Sequence, residues 1–337
     1  MSQINEIKQL LQAKNLWQDG YDIRPNPNRR GQSISYFIYD SSDTPIYIAK
    51  FFDFFKGIPI PNSININSSL QPEEVIDMLA DADDFMGDAD EASTNFYYQK
   101  RFFVRYVNVC SKEDTDFPKM FAFKENIIIN SHFYGLLIEE AIEGITLEEY
   151  LNNPDSSYDR TSFAINFLEN MTNIIKKFVT HGIVHRDLSP DNIMLRNQEF
   201  IVIDPGVVKI VNRNTTEVGY IMGKRTYASP EQCRGHAVYT DFTSDLYTIG
   251  LITFEIISGI NPLKYYMEKQ IPNPHEAIIN KFDRELEDIF FANVEDSVQT
   301  RMLFLIVRKL LQPDKSYRFD DISSLQEAIN PLKEAIS

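Results

Sequence analysis

The spacing of apolar positions divides the chain into a β-rich first third and a mostly helical remainder. Residues 3–17 carry apolar side chains at helical spacing and predict a short leading helix. From residue 21 onward the pattern becomes typical of strands: the segments 33–39 and 45–52 are rich in aromatic and β-branched residues. The turn-forming sequence Ser-Ser-Asp-Thr separates the two segments, which are therefore expected to pair.

Residues 56–93 interrupt this pattern. The segment begins as a loop rich in Pro, Asn and Ser and continues into an acidic stretch. Pro72, followed by Glu73 and Glu74, predicts a helix start, because Pro is tolerated in the first turn and acidic residues favour the helix N-terminus. A further helix with a dense aromatic face is predicted over residues 95–107.

The remaining pattern predicts two more strands and then helices. The strands are expected at 119–130 and 134–140, and the chain is mostly helical after Thr146. The helices predicted there cover residues 146–152, 161–181, 243–258, 297–312 and 320–335. The expected fold class is α+β, with a small β-rich lobe, a larger helical lobe and a cleft between them.

Composition narrows the class of protein. A hydrophobic fraction of 43% over 337 residues suffices for two substantial cores and excludes a disordered chain. A net charge of −16 argues against a nucleic-acid partner bound through a broad basic surface. No apolar run has the length needed to span a bilayer, and the polar N-terminus is unlike a secretory signal. We therefore expect a cytoplasmic protein with no membrane partner.

Two neighbouring segments carry oxygen ligands at a spacing that suggests chemistry. The first, His-Arg-Asp-Leu-Ser-Pro-Asp-Asn-Ile-Met-Leu, and the second, Ile-Val-Ile-Asp-Pro-Gly, read as loop, strand, turn, strand and Asp. Asp187, Asn192 and Asp204 can then converge on one cleft at the strand ends. Such oxygen donors suit a hard cation such as magnesium and a phosphate that the cation carries.

These segments resemble the catalytic and metal-binding loops of eukaryotic-type protein kinases, and the resemblance extends from about residue 21 to the C-terminus. Asp187 follows His-Arg, Asn192 lies five residues beyond it, and Asp204 begins an Asp-Pro-Gly motif. Three later motifs fit the same family in the expected order: Ser229-Pro230-Glu231 at the end of the activation segment, Asp245 in the helix that supports the catalytic loop, and Arg318, which pairs with Glu231 in the family.

The resemblance implies ATP and Mg²⁺ as cofactors and assigns four roles. Asp187 would accept or orient the proton of an incoming protein hydroxyl, while Asn192 and Asp204 would hold Mg²⁺ at the phosphates. Lys50, at the end of the apolar strand sequence Ile-Tyr-Ile-Ala-Lys, would reach the α- and β-phosphates.

Adenine and the phosphates would be covered by further residues. Ala49 and Met194 resemble the two apolar residues that sandwich the adenine ring. The phosphate-covering loop keeps only Gly31 of the three expected glycines, so Asn26 and Asn28 are candidates for its positive-φ positions.

The segment 137–143 resembles the hinge between the lobes. The backbones of Glu140 and Ile142 would bind adenine, and Glu143 would meet the ribose. The register is open by one residue, and one choice places Glu139 at the back of the nucleotide pocket.

The acid that pairs with the strand lysine is missing from its usual helix position. Gln99 falls where the family has Glu, and it can hydrogen-bond Lys50 without supplying charge. The alternative is that Glu91 or Asp90 reaches Lys50 from the acidic segment. We prefer Gln99.

Other departures concern the loops. Pro205 replaces the usual Phe, Ser189 stands where serine/threonine kinases have Lys, and Lys224 stands where they have Thr. One hypothesis is that a basic residue has moved from the catalytic loop to the segment opposite. Thr215 and Thr216 are candidate regulatory phosphorylation sites.

We interpret the chain as a bacterial serine/threonine protein kinase that transfers the ATP γ-phosphate to protein hydroxyls, including its own. The expected domains are a helical extension at 1–20, a small lobe at 21–138 with an acidic insert at 57–93, and a hinge with the large lobe at 139–337. The insert is a candidate docking site for a partner. The alternatives are a pseudokinase that serves as a nucleotide-binding or scaffold module, and a small-molecule kinase.

Overall fold

The structure is a computed structural model that divides into two compact units. Unit 1 comprises Met1–Glu113 and Pro118–Glu143, and unit 2 comprises Asp114–Phe117 and Gly144–Ser337. The residues that the structure describes are 2–27, 33–61, 63–67, 69–154, 159–205, 209–210, 224–234 and 239–334.

Unit 1 is built on a five-stranded antiparallel sheet with strand order β1-β2-β3-β5-β4. Its elements in chain order are α1 (Gln3–Ala13), β1 (Asp22–Pro25), β2 (Ile34–Tyr39), β3 (Pro45–Asp53), α2 (Pro72–Ala80), α3 (Ala89–Cys110), β4 (Met120–Ile129) and β5 (His132–Glu140).

Helix α1 covers one face of this sheet. Ile7, Leu10 and Leu11 of α1 pack with Ala49 and Phe51 of β3 in one buried cluster. The N-terminal segment therefore belongs to the core of unit 1.

Helix α3 covers the opposite face. Phe52 of β3 contacts the rings of Phe102, Phe103 and Tyr106, with ring centroids 5.3–5.9 Å apart. Gly135 of β5 lies under the same helix, where an added Cβ would come within 2.7 Å of the Phe103 ring. A larger residue at this position would force the helix away from the sheet.

Helix α3 is longer at both ends than the predicted helix 95–107. It begins after Asp88, whose carboxylate accepts the backbone N–H groups of Asp90 and Glu91. This N-cap satisfies donors that the helix itself leaves unpaired. The first turn of α3 is polar and lacks the regular spacing of apolar residues. The aromatic pattern therefore does not predict it.

Helix α2 begins at Pro72, as predicted. Glu74 accepts the backbone N–H of Gln71 at 2.6 Å, and Glu73 forms an ion pair with Lys100 of α3. The described part of the acidic segment is therefore anchored to α3 through this pair.

In its described residues, unit 2 is helical apart from short strands, and four of the helices found there, α6 and α8–α10, lie outside the helices that the apolar pattern predicts. Its elements are β6 (Ile145–Thr146), α4 (Leu147–Asn152), α5 (Arg160–Thr180), β7 (Ile183–Val184), a 3-10 turn (Pro190–Asn192), β8 (Ile193–Arg196), β9 (Glu199–Val202), β10 (Lys209–Ile210), α6 (Pro230–Cys233), α7 (Phe242–Ser258), α8 (Pro262–Glu268), α9 (Pro274–Asn280), a π-helical turn (Phe282–Leu286), α10 (Glu287–Phe291), α11 (Val298–Leu310), a second 3-10 turn (Lys315–Tyr317) and α12 (Ile322–Glu334).

Helix α7 lies at the centre of unit 2 and is buried along almost its whole length. A Cβ at Gly250 would come within 2.8 Å of Leu310 on α11, so this glycine allows the two helices to approach closely. In the part of the chain that is described, no single helix is long and apolar enough to cross a membrane. One bent pair, α7 with α8, meets the length and composition criteria when taken together.

Candidate active site

The His-Arg-Asp loop of unit 2, residues 185–192, is held by a buried carboxylate on α7. Asp245 accepts the backbone N–H groups of His185 and Arg186, each at 2.8 Å. Arg186 has φ of +68°, a strained value for a residue with a side chain, so the fixed hydrogen bonds stabilise a conformation that a free loop would avoid. The predicted support of the loop by Asp245 is confirmed.

Asp245 itself is almost fully buried. Burial raises the pKa of this carboxyl to about 7, although its bonds to the two backbone N–H groups act in the opposite direction. Burying a carboxylate costs free energy, and here its hydrogen bonds to two backbone N–H groups offset part of that cost while fixing the loop.

His185 is a buried structural residue. Its ring stacks with Phe117 and Phe178, and its Nδ1 accepts the backbone N–H of Asp187 at 3.3 Å. Burial lowers the pKa of this imidazole to about 3, so the ring is neutral and can act as an acceptor at Nδ1. This hydrogen bond helps to fix the backbone conformation at Asp187.

Asn192 joins the loop to the segment that carries Asp204. Its side-chain amide donates to the carbonyl oxygen of Asp187 at 3.0 Å, and its own carbonyl accepts the N–H of Ile203 at 3.0 Å. Burial, followed by the nearby charge of Asp204, raises the pKa of Asp187 to about 7. The structure thus brings Asp187, Asn192 and Asp204 together, as the spacing predicted.

The donors at this place fit a magnesium ion. Among the described residues no group of three His, Cys, Asp or Glu side chains could hold a metal ion. Mg²⁺ does not require such a cage, because it keeps several waters and commonly takes one or two carboxylates together with substrate phosphates. The carboxylate of Asp204 and the side-chain oxygen of Asn192 supply donors of this class. Two neighbouring carboxylates, Asp187 and Asp204, also form a local concentration of negative charge that a cation would relieve.

Lys224 approaches the loop from the segment that follows. Its backbone N–H donates to Asp187 Oδ1 at 3.1 Å, and its ammonium lies 2.5 Å from Asp191. Ser189 donates to the same Asp191 oxygen at 2.6 Å. Burial would raise the pKa of Asp191, but the hydrogen bonds from Lys224 and Ser189 outweigh it and lower that pKa. A cation therefore lies against the loop on which Ser189 replaces the family's Lys.

A buried ion pair holds α6, the short helix that carries the Ser-Pro-Glu motif. Arg318 binds both carboxylate oxygens of Glu231, at 2.7 and 3.0 Å, and its side chain is fully buried. Burial alone would raise the pKa of Glu231, but Arg318 and then Ser244 outweigh it and lower that pKa. Next to this pair, Gln232 donates to the carbonyl of Arg186 at 2.6 Å, which links the brace to the His-Arg-Asp loop. The predicted pairing of Glu231 with Arg318 is confirmed.

In unit 1, the partners of Lys50 differ from those predicted. Lys50 forms an ion pair with Glu139 of β5, and its ammonium donates to the hydroxyl of Tyr106 at 2.6 Å. Tyr106 lies seven residues beyond Gln99, about two helical turns or roughly 10 Å along α3. The predictions that Gln99 or an acid such as Glu91 pairs with Lys50 are wrong.

Glu139 is 2% exposed and its carboxylate pairs with the Lys50 ammonium. The placement of Glu139 at the back of a nucleotide pocket stays a prediction. Residues two apart in a strand share a face, so Glu139 lies on the same face of the sheet as Leu137, the residue opposite Lys50.

The prediction for Ala49 is also wrong. Ala49 packs in the α1 cluster, whereas Lys50 faces α3. Adjacent residues in a strand point to opposite faces, so Ala49 cannot line the surface that presents the Lys50 ammonium. Ile48, two residues before Lys50, lies on the same face of the sheet as Lys50.

The remaining candidates are placed as follows. Met194 is half-buried on β8 of unit 2. The N–H of Glu140 already donates to the carbonyl of Lys119 at 2.8 Å, so only its carbonyl side could meet a base. Ile142 is half-buried and Glu143 is exposed at the end of unit 1.

Several predicted residues lie outside the described parts of the chain. They are Asn28 and Gly31 of the phosphate-covering loop, Gly206 after Asp204-Pro205, and the candidate phosphorylation sites Thr215 and Thr216.

Comparison with known proteins agrees with this geometry. The family model described as the protein kinase domain matches residues 99–329, well over half of the chain. "Serine/threonine-protein kinase D" of Synechocystis sp. is 24% identical over 66% of this chain and 39% of its own length. "Serine/threonine-protein kinase pkn2" of Myxococcus xanthus is 27% identical over 60% of this chain and 24% of its own length. "Serine/threonine-protein kinase PrkC" of Bacillus subtilis is 32% identical over 37% of this chain and 19% of its own length.

The chain thus spans at most about two fifths of the length of these curated relatives. The family assignment does not depend on their additional regions, because the model match and the braced His-Arg-Asp loop fall within this chain. The chain belongs to the protein kinase domain family.

Proposed function

We propose that the chain is an ATP- and Mg²⁺-dependent serine/threonine protein kinase. The observation that carries the proposal is the loop geometry of unit 2. Asp187 and Asn192 are joined by a hydrogen bond, and Asp204 is close enough to Asp187 to raise its pKa. Asp245 fixes the same loop from below through two backbone hydrogen bonds. A scaffold protein without catalytic activity would have no need of Asp187, Asn192 and Asp204 in this arrangement.

Each residue then has a defined task in phosphoryl transfer. The Asp187 carboxylate accepts or orients the proton of the incoming hydroxyl. The oxygens of Asn192 and Asp204 would hold the metal, and Lys50 would bind the α- and β-phosphates. When bound, Mg²⁺ supplies charge neutralisation at the transferring phosphate. The protein's share is positioning and electrostatics, which agrees with a loop fixed from several sides.

The nucleotide base would contact apolar residues and backbone groups. Met194 remains a candidate from unit 2, and Ile48 replaces Ala49 as the candidate on β3. The carbonyl of Glu140, the backbone of Ile142 and the side chain of Glu143 complete the proposed set.

A protein substrate is favoured over a small molecule by the Glu231–Arg318 pair. The pair braces the segment that, in protein kinases, lies beside the bound peptide. Burying a charged pair has a desolvation cost, and here the Arg318 side chain is fully buried and that of Glu231 is 11% exposed. We infer that the fixed position of this segment serves substrate binding. The three relatives described above are named serine/threonine-protein kinases, which also favours an active enzyme over a pseudokinase.

The wider setting is proposed on the same basis. We place the protein in the cytoplasm, with a protein partner docking on the acidic segment 57–93 and with no nucleic-acid partner. The proposed division keeps 1–20 as an N-terminal extension, 21–138 as the small lobe and 139–337 as the hinge and large lobe.

Intact mass spectrometry before and after incubation with ATP and Mg²⁺ tests the proposal. We expect a gain of one or more phosphates on the chain, or on a degenerate peptide library with Ser and Thr acceptors. Asp187→Asn should remove the gain. If the wild type adds phosphate to neither substrate, or if the Asp187→Asn variant adds as much, the proposed activity is wrong.

A further inference from the structure

The ammonium of Lys50 is held by a carboxylate on the neighbouring strand, whereas the sequence predicts a partner on or just before α3. Glu139 lies on β5 and pairs directly with Lys50 on β3, and Tyr106 of α3 lies against both. We propose that Glu139 is a positioning residue that orients Lys50 toward the nucleotide phosphates, with Tyr106 as its second support. This inference rests on the proposed function, because it assigns a task to Lys50 in that site.

The strand register fixes the geometry of the pair. β3 and β5 are adjacent antiparallel strands in which Lys50 is opposite Leu137 and Ile48 is opposite Glu139. Lys50 and Glu139 are therefore diagonal neighbours on one face, a spacing of about 7–8 Å between Cα atoms that two long side chains bridge easily. The backbone hydrogen bonds of the sheet hold this spacing.

Tyr106 contacts both members of the Lys50–Glu139 ion pair. Its hydroxyl accepts from the Lys50 ammonium at 2.6 Å and lies 3.2 Å from Glu139 Oε2, to which it can donate its single proton. Burial keeps these contacts free of competition from water: Glu139 is 2% exposed and the Lys50 side chain is 13% exposed. Charge-assisted hydrogen bonds of this kind are stronger than neutral ones.

The two supports differ in what they depend on. The Glu139 carboxylate is carried by the sheet, whereas the Tyr106 hydroxyl is carried by α3. A displacement of α3 would withdraw the hydroxyl but leave the carboxylate beside Lys50. The charge that orients the lysine therefore does not depend on the position of α3.

A double-mutant cycle between Glu139 and Lys50 tests the inference. Binding of ATP and of adenosine is measured by calorimetry in EDTA, so that the readout requires neither metal nor turnover. We expect Glu139→Gln to weaken ATP binding about tenfold and adenosine binding less than twofold. In a Lys50→Met background, the same substitution should change ATP binding less than twofold, because the residue through which Glu139 acts is absent.

Matched variants separate positioning from folding. Glu125→Gln changes an exposed glutamate on β4 of the same sheet and should leave both affinities unchanged. Tyr106→Phe keeps the ring packing and removes the hydroxyl, and it should weaken ATP binding about threefold with adenosine binding unchanged. If Glu139→Gln does not fold, the Tyr106→Phe result decides the matter.

Three results overturn the inference. They are an equal loss for ATP and adenosine, a loss of the same size in the Lys50→Met background, and unchanged ATP binding in both the Glu139 and the Tyr106 variants. The proposed function is tested separately. If the double-mutant cycle gives the expected affinities for ATP but the wild type transfers no phosphate, the proposed activity is refuted and this inference stands. An active wild type whose ATP binding is unchanged by both Glu139→Gln and Tyr106→Phe would do the reverse.

Discussion

The two terminal nitrogens of Arg318 bind the two carboxylate oxygens of Glu231 across 87 residues of sequence, at 2.7 and 3.0 Å. Arg318 also donates to backbone carbonyls of Thr243 and Gln312, so the pair is joined to α7 and to the loop after α11. This planar two-bond geometry is one that Lys cannot reproduce.

Arg318→Ala should destabilise the protein by about 3–5 kcal/mol, because it leaves the Glu231 carboxylate buried without its partner. The melting temperature measures the effect, with Arg301→Ala as the control, since Arg301 forms its ion pairs on an exposed surface. Replacing both partners by apolar residues, Arg318→Met with Glu231→Leu, should recover much of the loss. Equal melting temperatures for Arg318→Ala and Arg301→Ala would contradict a buried brace.

Asp187→Ala should abolish phosphoryl transfer and leave nucleotide affinity within about threefold of the wild type. The carboxylate acts on the hydroxyl of the substrate, and general-base catalysis contributes about 10²–10⁴-fold. Single-turnover assays and ATP calorimetry measure the two quantities. A parallel loss of ATP binding would mean that the residue supports the fold and not the chemistry.

Asp204→Asn should remove the magnesium-dependent part of ATP binding. The amide keeps one oxygen but loses the charge that attracts a divalent cation. Thermal unfolding is compared with ATP alone and with ATP plus MgCl₂: the wild type should gain stability from the metal and the variant should not. The assignment of Asp204 as a metal-binding residue does not survive an unchanged gain in the variant.

Gln99→Glu should leave kcat/KM for ATP within about twofold of the wild type. Lys50 already has an acidic partner in Glu139, and Gln99 lies about two helical turns from the residue of α3 that reaches it. Steady-state kinetics of Gln99→Glu beside Lys50→Met give the comparison, with the second variant expected to lose most activity. A large gain in Gln99→Glu would show that α3 adopts another register in the working enzyme.

The stability of unit 1 should decrease as the pH rises above 6.5 and through the raised pKa of His132. The hydrogen bond that His132 donates to the Asp53 carboxylate raises the pKa of His132 above 6.5, against an opposing effect of burial. A raised pKa adds stability that is complete below pH 6.5 and is lost as the pH rises through the folded-state value. Since both groups are partly exposed, the contribution is on the order of 1 kcal/mol or less.

Denaturant unfolding between pH 6 and 8 measures this contribution. Asp53→Asn removes the charge and keeps an oxygen for the N–H of Phe55, which donates to Asp53 at 2.9 Å. The difference in unfolding free energy between wild type and variant should shrink as the pH rises. A constant difference would assign the contact to hydrogen bonding without charge.

The parts of the site that lie close together in sequence were predictable. The loop around Asp187 and the carboxylate of Asp204 are only a few turns of chain apart, and Asp245 and Arg318 follow in the family's order. The pairing of Lys50 was not predictable in the same way, because it depends on which residue of β5 faces β3. A shift of one residue turns Glu139 to the opposite face of the sheet.

Two further residues show what the apolar pattern can and cannot tell. Strand alternation alone would have moved the adenine contact from Ala49 to Ile48, since a residue adjacent to Lys50 cannot share its face. Tyr106 gave no such signal. It belongs to a run of aromatic residues that predicts packing, and nothing in that run distinguishes the one hydroxyl that meets an ion pair.

The packing of α1 on the sheet has a consequence for folding during synthesis. The buried Glu6 pairs with Lys124 of β4, and the hydroxyl of Tyr36 donates to Gln3, so α1 docks on strands made both soon and long after it. Lys124 leaves the ribosome 118 residues later than Glu6. At about 5–20 residues per second, the contact between α1 and β4 cannot form until roughly 6–24 seconds after Glu6 has been added to the chain.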